Sequence, residues 1–336
     1  MIKWFLFEME ASMCFDNFKG QNRKEFQQMN SIRRNATACR LILVCMIFKL
    51  APLIGETLKK LSPIKVMLID GQNNHDWKSC SPVMMDTLEV TGRFVVQRIT
   101  VTQDAVSEFS PDFDEYDVIL SNYNGLSWPT ETKKTFVKYI QNGGNLVVIH
   151  AADNSFPDWK EFNEMIGLGG WAGRNEKDGP YVYWEDGKFV RDSSQGVGGS
   201  HGKSWTYEVV IRDQDHPITR GLPKRFLQVK EELYDRLRGP AKNMSIIATA
   251  FAEGGSERHE PVLMTLKYGK GRIFHSVMGH DHKSMQGVAF QETLIRGTEW
   301  AATGEFTFPK VSSTILPADR AAYRDPLDIE TIYDSE

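Results

Sequence analysis

With 336 residues, 41% of them hydrophobic and 25% charged, the chain can fill one large or two ordinary hydrophobic cores, as a globular protein does. Its formal net charge is −4, and it becomes −8 when residues 1–55 are left out. An acidic balance disfavours binding to polyanions, so we expect no nucleic-acid partner.

The first 55 residues differ in pattern from the rest of the sequence. Three arginines between residues 33 and 40 precede the apolar run 41–48, and residues 26–55 contain no Asp or Glu. A basic stretch followed by a short apolar one is typical of a secretory signal, and eight apolar residues cannot span a bilayer. We predict that 1–55 is a signal peptide or N-terminal extension and that the protein is exported, to the periplasm or cell envelope. A buried amphipathic helix is the alternative.

The remaining sequence contains a single cysteine and no long apolar segment. Cys80 is the only cysteine after residue 55, which excludes an internal disulfide and a cysteine zinc cluster in that part of the chain. No segment there approaches the roughly 18 apolar residues of a membrane helix. We therefore expect no membrane span in the mature protein.

Strands and helices alternate over the next hundred residues. A nearly continuous apolar run such as IKVMLID is typical of a strand that is covered on both faces. Repeated strand–helix–strand units predict right-handed crossovers and a doubly wound, mostly parallel α/β sheet with helices on both faces. The predicted strands are 64–70, 94–100, 116–121 and 145–150, and the predicted helices are 81–92, 129–144 and 158–165.

The pattern changes after residue 166. Residues 167–204 are rich in glycine and have little periodicity, which indicates a functional loop or insertion. Further elements follow, and a polar, mostly irregular tail occupies 306–336. We therefore predict one domain over 56–305. Its later strands are 205–212, 245–250, 261–268 and 273–277, and its last helix is 290–302.

Four segments place polar, ligand-capable side chains at predicted strand ends or in loops. In a doubly wound sheet, ligands gather at the carboxyl ends of the strands, so we expect these side chains to meet at one edge. The segments are GQNNHDW with His75 and Asp76, VVIHAADN with His150 and Asp153, EELY with Glu231, Glu232 and Tyr234, and GHDH with His280, Asp281 and His282.

The histidines of these segments predict a metal site. Neutral imidazole is a common zinc ligand, and three protein ligands with an open position are typical of a catalytic site. We predict that His75, His150 and His280, with Glu232 or Asp281 assisting, bind a divalent metal such as zinc. Two alternatives remain open: a metal-free acid–base site, and a structural role in which each ring only bonds a loop carbonyl.

Together these segments resemble the ThuA-like family, which is named for trehalose utilisation. The matching text is IDGQNNHDW, GGNLVVIHAADNSF, DHPITRGLP, EELY and YGKGRIFHSVMGHD, within residues 64–303. The resemblance implies the flavodoxin-like fold of class I glutamine amidotransferases, with His150 in place of their nucleophilic cysteine and His280 in place of their late histidine. An imidazole cannot form the thioester of glutamine hydrolysis, and Cys80 lies at the start of the first predicted helix. We therefore expect no glutaminase activity.

The same resemblance implies a role in carbohydrate catabolism, on disaccharides or their 3-keto derivatives. A ketone at C3 acidifies the neighbouring C–H, so a positioned base can remove that proton while a metal or imidazolium stabilises the enediolate. We expect a hydrolase or lyase in which His150 or Glu232 is the base and His280 the stabiliser or metal ligand. The alternative is a non-catalytic sugar-binding or accessory protein, since fold alone does not imply a reaction.

Candidate substrate contacts come from the same segments and from the glycine-rich stretch. Aromatic side chains stack on pyranose faces, although they also fill ordinary cores. We expect a small carbohydrate ligand and no nucleotide cofactor, and the sequence leaves a homodimer open. The predicted substrate-binding residues are Asn74, Asp153, Trp171, His201 and Tyr234.

Overall fold

Thirteen strands and five α-helices occur in the residues that a computed structural model describes, 62–308 and 315–329. The strands are β1 (Ile64–Asp70), β2 (Phe94–Thr100), β3 (Val118–Ser121), β4 (Leu146–Ile149), β5 (Tyr181–Glu185), β6 (Lys188–Asp192), β7 (Ser200–His201), β8 (Trp205–Ile211), β9 (Arg225–Glu231), β10 (Tyr234–Asp235), β11 (Met244–Phe251), β12 (His259–Tyr268) and β13 (Gly271–Ser276). The helices are α1 (Trp77–Glu89), α2 (Thr130–Asn142), α3 (Lys160–Ile166), α4 (His282–Met285) and α5 (Val288–Thr303).

Two kinds of strand pairing meet in the main sheet. Strands β2, β1, β3, β4 and β13 lie side by side in that order and run parallel. From β13 the sheet continues antiparallel through β12, β11, β8 and β9, and β5 with β6 branches from β12. The predicted doubly wound α/β sheet is confirmed.

Helices cover both faces of the parallel strands. Every residue of β3 and β4 is buried, as expected for apolar strands between two helical layers. On one face α1 packs against α5. On the other, Phe136 of α2 lies 5.8 Å from Trp159, which precedes α3, measured between ring centroids. The carboxyl ends of β1, β4 and β13 therefore open at one edge, where the site forms.

The first helix begins four residues earlier than predicted. It starts at Trp77 rather than Ser81 because Asp76 is its N-cap and accepts a hydrogen bond from the Ser79 backbone N–H. The cap matters for the site because it fixes where the helix begins. His75, in the loop after β1, lies immediately before the capping residue.

The glycine-rich stretch contains more regular structure than its composition predicts. Strands β5 and β6 form a hairpin whose turn residues, Asp186 and Gly187, both have positive φ angles, of 47° and 80°. This is the conformation that a two-residue hairpin turn requires. Farther on, β7 pairs with β10, which brings the insertion beside the EELY segment.

The described part of the C-terminal tail lies on the domain. Ala322 accepts a hydrogen bond from the Val288 backbone N–H at 3.0 Å, and Leu316 and Arg324 are buried. This part of the tail contains one short 3₁₀ helix, Pro326–Ile329, and it packs against α5. The predicted signal segment, 1–55, lies outside the described residues. None of the described helices is both long enough and apolar enough to cross a membrane.

Candidate metal centre

His150 occupies a strained turn directly after β4. Its φ angle of 46° is in the left-handed region, and its side chain is fully buried. Nδ1 lies 2.6 Å from the carbonyl oxygen of Val277, which can only accept, so Nδ1 carries the proton. Nε2 is then the unprotonated nitrogen with an available lone pair, and it has no hydrogen-bond partner. Burial holds the pKa of His150 well below its usual value, so the ring is neutral.

Two more imidazoles lie against His150. The ring centroid of His75 is 4.9 Å from that of His150 and 4.7 Å from that of His280, and the remaining separation is 5.6 Å. Burial, with the neighbouring His280, lowers the pKa of His75 to about 4. Like His150, it is therefore neutral near pH 7 and can donate a lone pair.

Glu232 completes the group from the segment between β9 and β10. Its Oε2 is 2.9 Å from Nδ1 of His280, yet the angles are not those of a hydrogen bond, and neither atom has a hydrogen-bond partner. Both residues belong to a group whose ligand atoms could hold one ion. Although burial lowers it, the pKa of His280 is raised overall, because the Glu232 carboxylate favours the charged ring.

The donor set fits a divalent cation. Ligand atoms of His75, His150, Glu232 and His280 all lie within 4.8 Å of one another. Zinc bonds nitrogen at about 2.0–2.1 Å, so two ligands of one ion lie up to about 4 Å apart. Small side-chain movements would bring this group to that distance. The strongest evidence for a bound ion is the unprotonated Nε2 of the buried His150, which has no hydrogen-bond partner.

A recess of about 320 Å³ adjoins the four ligands. His75 belongs to both the ligand group and the recess wall. Tyr234 contacts two of the ligands: its ring lies 4.0 Å from that of His150, and its hydroxyl is 3.3 Å from Nε2 of His75. Burial raises the pKa of Tyr234 well above its usual value, so the hydroxyl stays protonated. The residues that line the recess are Asn74, His75, Asn124, Asn154, Trp171, Ala172, His201 and Tyr234.

Comparison with known proteins agrees with this fold and these segments. The family model for ThuA, described as trehalose utilisation, matches residues 65–301. The chain belongs to the ThuA family. That description supports a carbohydrate-related role for the chain.

Solved structures include similar proteins. A ThuA-like protein of Parabacteroides merdae ATCC 43184 is 46% identical over 79% of this chain and 99% of its own, with a TM-score of 0.76. A ThuA-like protein of Bacteroides uniformis ATCC 8492 is 16% identical over 71% of this chain and 92% of its own, with a TM-score of 0.49. No curated protein matches the sequence.

Two of the carboxylates predicted for this ThuA site have other partners. Asp281, predicted as a metal ligand, is the N-cap of α4 and accepts a hydrogen bond from the Ser284 backbone N–H at 2.7 Å. Asp153, predicted to bind substrate, is fully buried and lies 3.1 Å from Nε2 of His275. Neither lines the recess, and of Glu232 and Asp281 only Glu232 lies in the candidate ligand group.

Of the other predicted residues, Asn74, Trp171, His201 and Tyr234 line the recess. Three lining residues were missed: Asn124, Asn154 and Ala172. Asn154 ends the VVIHAADN segment. Its position close after His150 could have indicated that it lies at the site. Asn124 follows β3, whose carboxyl end lies between those of β1 and β4.

Glu231, the residue before Glu232, supports the candidate site through backbone hydrogen bonds. Its fully buried carboxylate accepts hydrogen bonds from the backbone N–H groups of Gly279, His280 and Glu232, at 2.7, 3.0 and 3.0 Å. Burial raises the pKa of Glu231 to about 7, although these bonds oppose the shift. Glu231 is therefore a positioning residue for two of the four candidate ligands.

Glu231→Gln is expected to lower zinc affinity about 10- to 100-fold, the usual cost of losing an outer-shell partner. The new NH₂ group would face backbone donors, which would shift His280 and Glu232. Competition with a chromophoric chelator measures the affinity, and Glu208→Gln, at an ion pair on β8, is the matched control. Unchanged affinity in the Glu231 variant would contradict the positioning role.

Proposed function

We propose that this protein is an exported, metal-dependent hydrolase or lyase that acts on disaccharides or their 3-keto derivatives. The observation that carries the proposal is the convergence of three imidazoles and one carboxylate beside a recess, with the buried Nε2 of His150 lacking any partner. The family description, trehalose utilisation, supports a carbohydrate substrate. Export is proposed from the basic and apolar pattern of residues 1–55.

The three histidines are assigned as metal ligands. His150 cannot serve as a base toward a substrate in the recess, because it is fully buried and does not line it. Its Nδ1–H bond to Val277 fixes the ring with Nε2 toward His75 and His280. Three imidazole ligands and an open position make a catalytic rather than a structural zinc site. A bound divalent cation would stabilise negative charge on a substrate oxygen.

Glu232 is assigned as the base. Its Oε1 lies 3.7 Å from Nδ1 of His201, a residue of the recess wall, and its side chain, unlike that of His150, is partly exposed. Burial raises the pKa of Glu232, but His280 outweighs this and lowers it overall, so the group is ionised at neutral pH. An ionised carboxylate at this place can accept a proton from a substrate carbon.

The residues can then carry out an elimination. With a ketone at C3 of the sugar, Glu232 takes the proton from C2, and the electron pair of that C–H bond moves onto the ketone oxygen. Return of the pair forms a C1–C2 double bond and expels the glycosidic oxygen from C1. The leaving oxygen takes up a proton, for which the protonated hydroxyl of Tyr234 or the carboxyl of Glu232 is available.

The test combines metal content and bond cleavage in the full-length chain. Elemental analysis should find one zinc per chain, and 3-keto-trehalose should be cleaved. Glu232→Gln should keep the zinc and lower kcat about 100-fold or more, the usual worth of a positioned base. Glu253→Gln, at an exposed position, is the control.

Two outcomes would contradict the proposal. A chain that holds no stoichiometric metal and leaves both trehalose and 3-keto-trehalose intact, while still binding them, would be a non-catalytic sugar-binding protein. Loss of zinc in Glu232→Gln would make Glu232 a ligand rather than the base.

A further inference from the structure

The hairpin of β5 and β6 leaves one strand with an open edge. Among the described residues β6 pairs only with β5, while β5 also pairs with β12 of the main sheet. A strand at a sheet edge presents N–H and C=O groups that have no partner in the sheet, and these groups can pair with a strand of another chain. Within the described part of the chain, the outer side of β6 has no strand beside it.

The turn of the hairpin determines which backbone groups point outward. Its two residues, 186–187, set Glu185 opposite Lys188. The pair that closes such a turn exchanges both backbone hydrogen bonds, and the direction of the N–H and C=O groups then alternates along the strand. The backbone groups of Lys188 consequently point to β5, and those of Phe189 and Arg191 point to the outside.

The strand is held in place, and its outer residues are accessible. The Arg191 guanidinium donates to the carbonyl oxygens of Pro240 and Ala241, both at 3.0 Å, which ties β6 to the domain. The Phe189 ring lies 4.8 Å from that of Trp184, measured between centroids, and 36% of the residue is exposed. A partner strand would therefore meet an edge that is already ordered, which favours binding.

We propose that β6 pairs antiparallel with β6 of a second copy of this chain and joins two protomers into a symmetric dimer. The sequence of the strand, KFVRD, is complementary to itself in this arrangement. The two-fold axis passes beside Val190, which lies opposite its own copy. Lys188 lies opposite Asp192 of the second copy, and the next residue, Phe189, lies opposite Arg191. Because a two-fold axis repeats each contact, both of these unlike pairs form twice.

Backbone and side-chain chemistry agree on this register. The outward N–H groups of Phe189 and Arg191 meet each other's carbonyl oxygens across the axis, which gives about four backbone hydrogen bonds. Opposite charges that face each other across an antiparallel pair are favourable, and like charges are unfavourable. A parallel pair would set Lys188 beside Lys188 and Asp192 beside Asp192. Lysine at a sheet edge usually discourages pairing, but here the antiparallel copy brings the opposite charge.

Sedimentation velocity of the full-length chain under reducing conditions tests for the dimer. A strand pair of five residues is a small interface. A Kd on the order of 10 µM is therefore expected, with a change from monomer to dimer between about 1 and 300 µM. Lys188→Glu should weaken dimerisation about tenfold or more, because like-charge pairs replace the ion pairs. Lys270→Glu, in the exposed turn between β12 and β13, is the matched control and should dimerise as the native chain does.

A mixture of two variants tests the register. Asp192→Lys alone should dimerise as weakly as Lys188→Glu alone. An equal mixture of the two should recover the native affinity, since each chain then faces an opposite charge at both positions. Asp192 also accepts a hydrogen bond from the Ser194 backbone N–H at 2.8 Å and lies 3.8 Å from Arg258, so the melting temperature of its variant is measured first.

A cysteine cross-link tests the same register without changing a charge. Cα atoms that face each other in a non-hydrogen-bonded antiparallel pair lie about 4.5 Å apart, within the range of a disulfide. Under mild oxidation Val190→Cys should form a dimer linked at position 190, identified by mass spectrometry of the linked peptide. Phe189→Cys is the control and should not form this link, because the residue opposite it is Arg191.

Three results would each overturn the inference: a chain that stays monomeric at about 300 µM, a dimer that Lys188→Glu leaves unchanged, and a folded Val190→Cys variant that forms no link at position 190. In the second case the dimer forms through another surface. The cross-link does not depend on Asp192, so it decides the matter even if Asp192→Lys misfolds. Zinc content and sugar cleavage are measured separately, and failure of the dimer would leave the proposed reaction untouched.

Discussion

Replacing His150 with alanine should lower the affinity for zinc by more than about 100-fold and abolish cleavage of 3-keto-trehalose. Loss of an outer-shell residue alone costs 10- to 100-fold, and His150 is assigned to the first shell. Its Nε2 is deprotonated before any metal arrives, because Nδ1–H is bonded to Val277 and burial keeps the ring neutral. The site therefore loses a ligand that is already positioned and neutral. Elemental analysis and chelator competition measure the change.

His282→Ala is the control for this variant, because His282 begins α4 two residues after His280 but is not in the ligand group. It should retain the native zinc content. If His150→Ala folds, as judged by its melting temperature, and binds zinc as tightly as the native chain, the three-histidine site is refuted. The metal-free acid–base alternative would then be the better account, since His280 and Glu232 would still form a charged pair.

Much of the sheet could be predicted because local sequence patterns mark the strands and helix ends of its parallel half. Apolar runs such as 64–70 and 145–150 stand for strands covered on both faces, and Gly143, with a φ angle of 119°, ends α2 where a glycine is favoured. The hairpin of β5 and β6 was missed although its turn, Asp186–Gly187, is a strong hairpin signal. The many glycines around this turn favoured a prediction of irregular structure instead.

The meeting of His75, His150 and His280 could be predicted because the carboxyl ends of neighbouring parallel strands share one edge. The choice between Glu232 and Asp281 could not, because it depends on which side chain turns toward the edge. Asp281 is the N-cap of α4, a local preference that competes with ligation. Asp153 likewise turns into the core to meet His275, which lies far from it in the chain.

Replacing Arg324 with methionine should lower the free energy of unfolding by about 3 kcal/mol, because it breaks a buried ion pair from one side. Arg324 lies 2.9 Å from Oε1 of Glu292, whose side chain is fully buried in α5. Its Nε also donates to Gln291 Oε1 at 2.7 Å. Arg296 lies 3.9 Å from the other oxygen of Glu292, which keeps the loss at the lower end of the 3–5 kcal/mol range. Urea unfolding measures it.

Arg320→Met is the control, since its contact with Asp319, at 3.9 Å, joins two exposed side chains and should contribute less than about 1 kcal/mol. Removing both members of the buried pair, with Glu292→Gln and Arg324→Met together, should recover part of the loss, because no buried carboxylate is then left with a missing partner. If the single Arg324 variant loses less than about 1 kcal/mol in its free energy of unfolding, the tail contributes little to stability. A large loss makes the tail part of the folded domain, since its backbone also bonds Gln286 and Val288 at the junction of α4 and α5, close in sequence to the ligand His280.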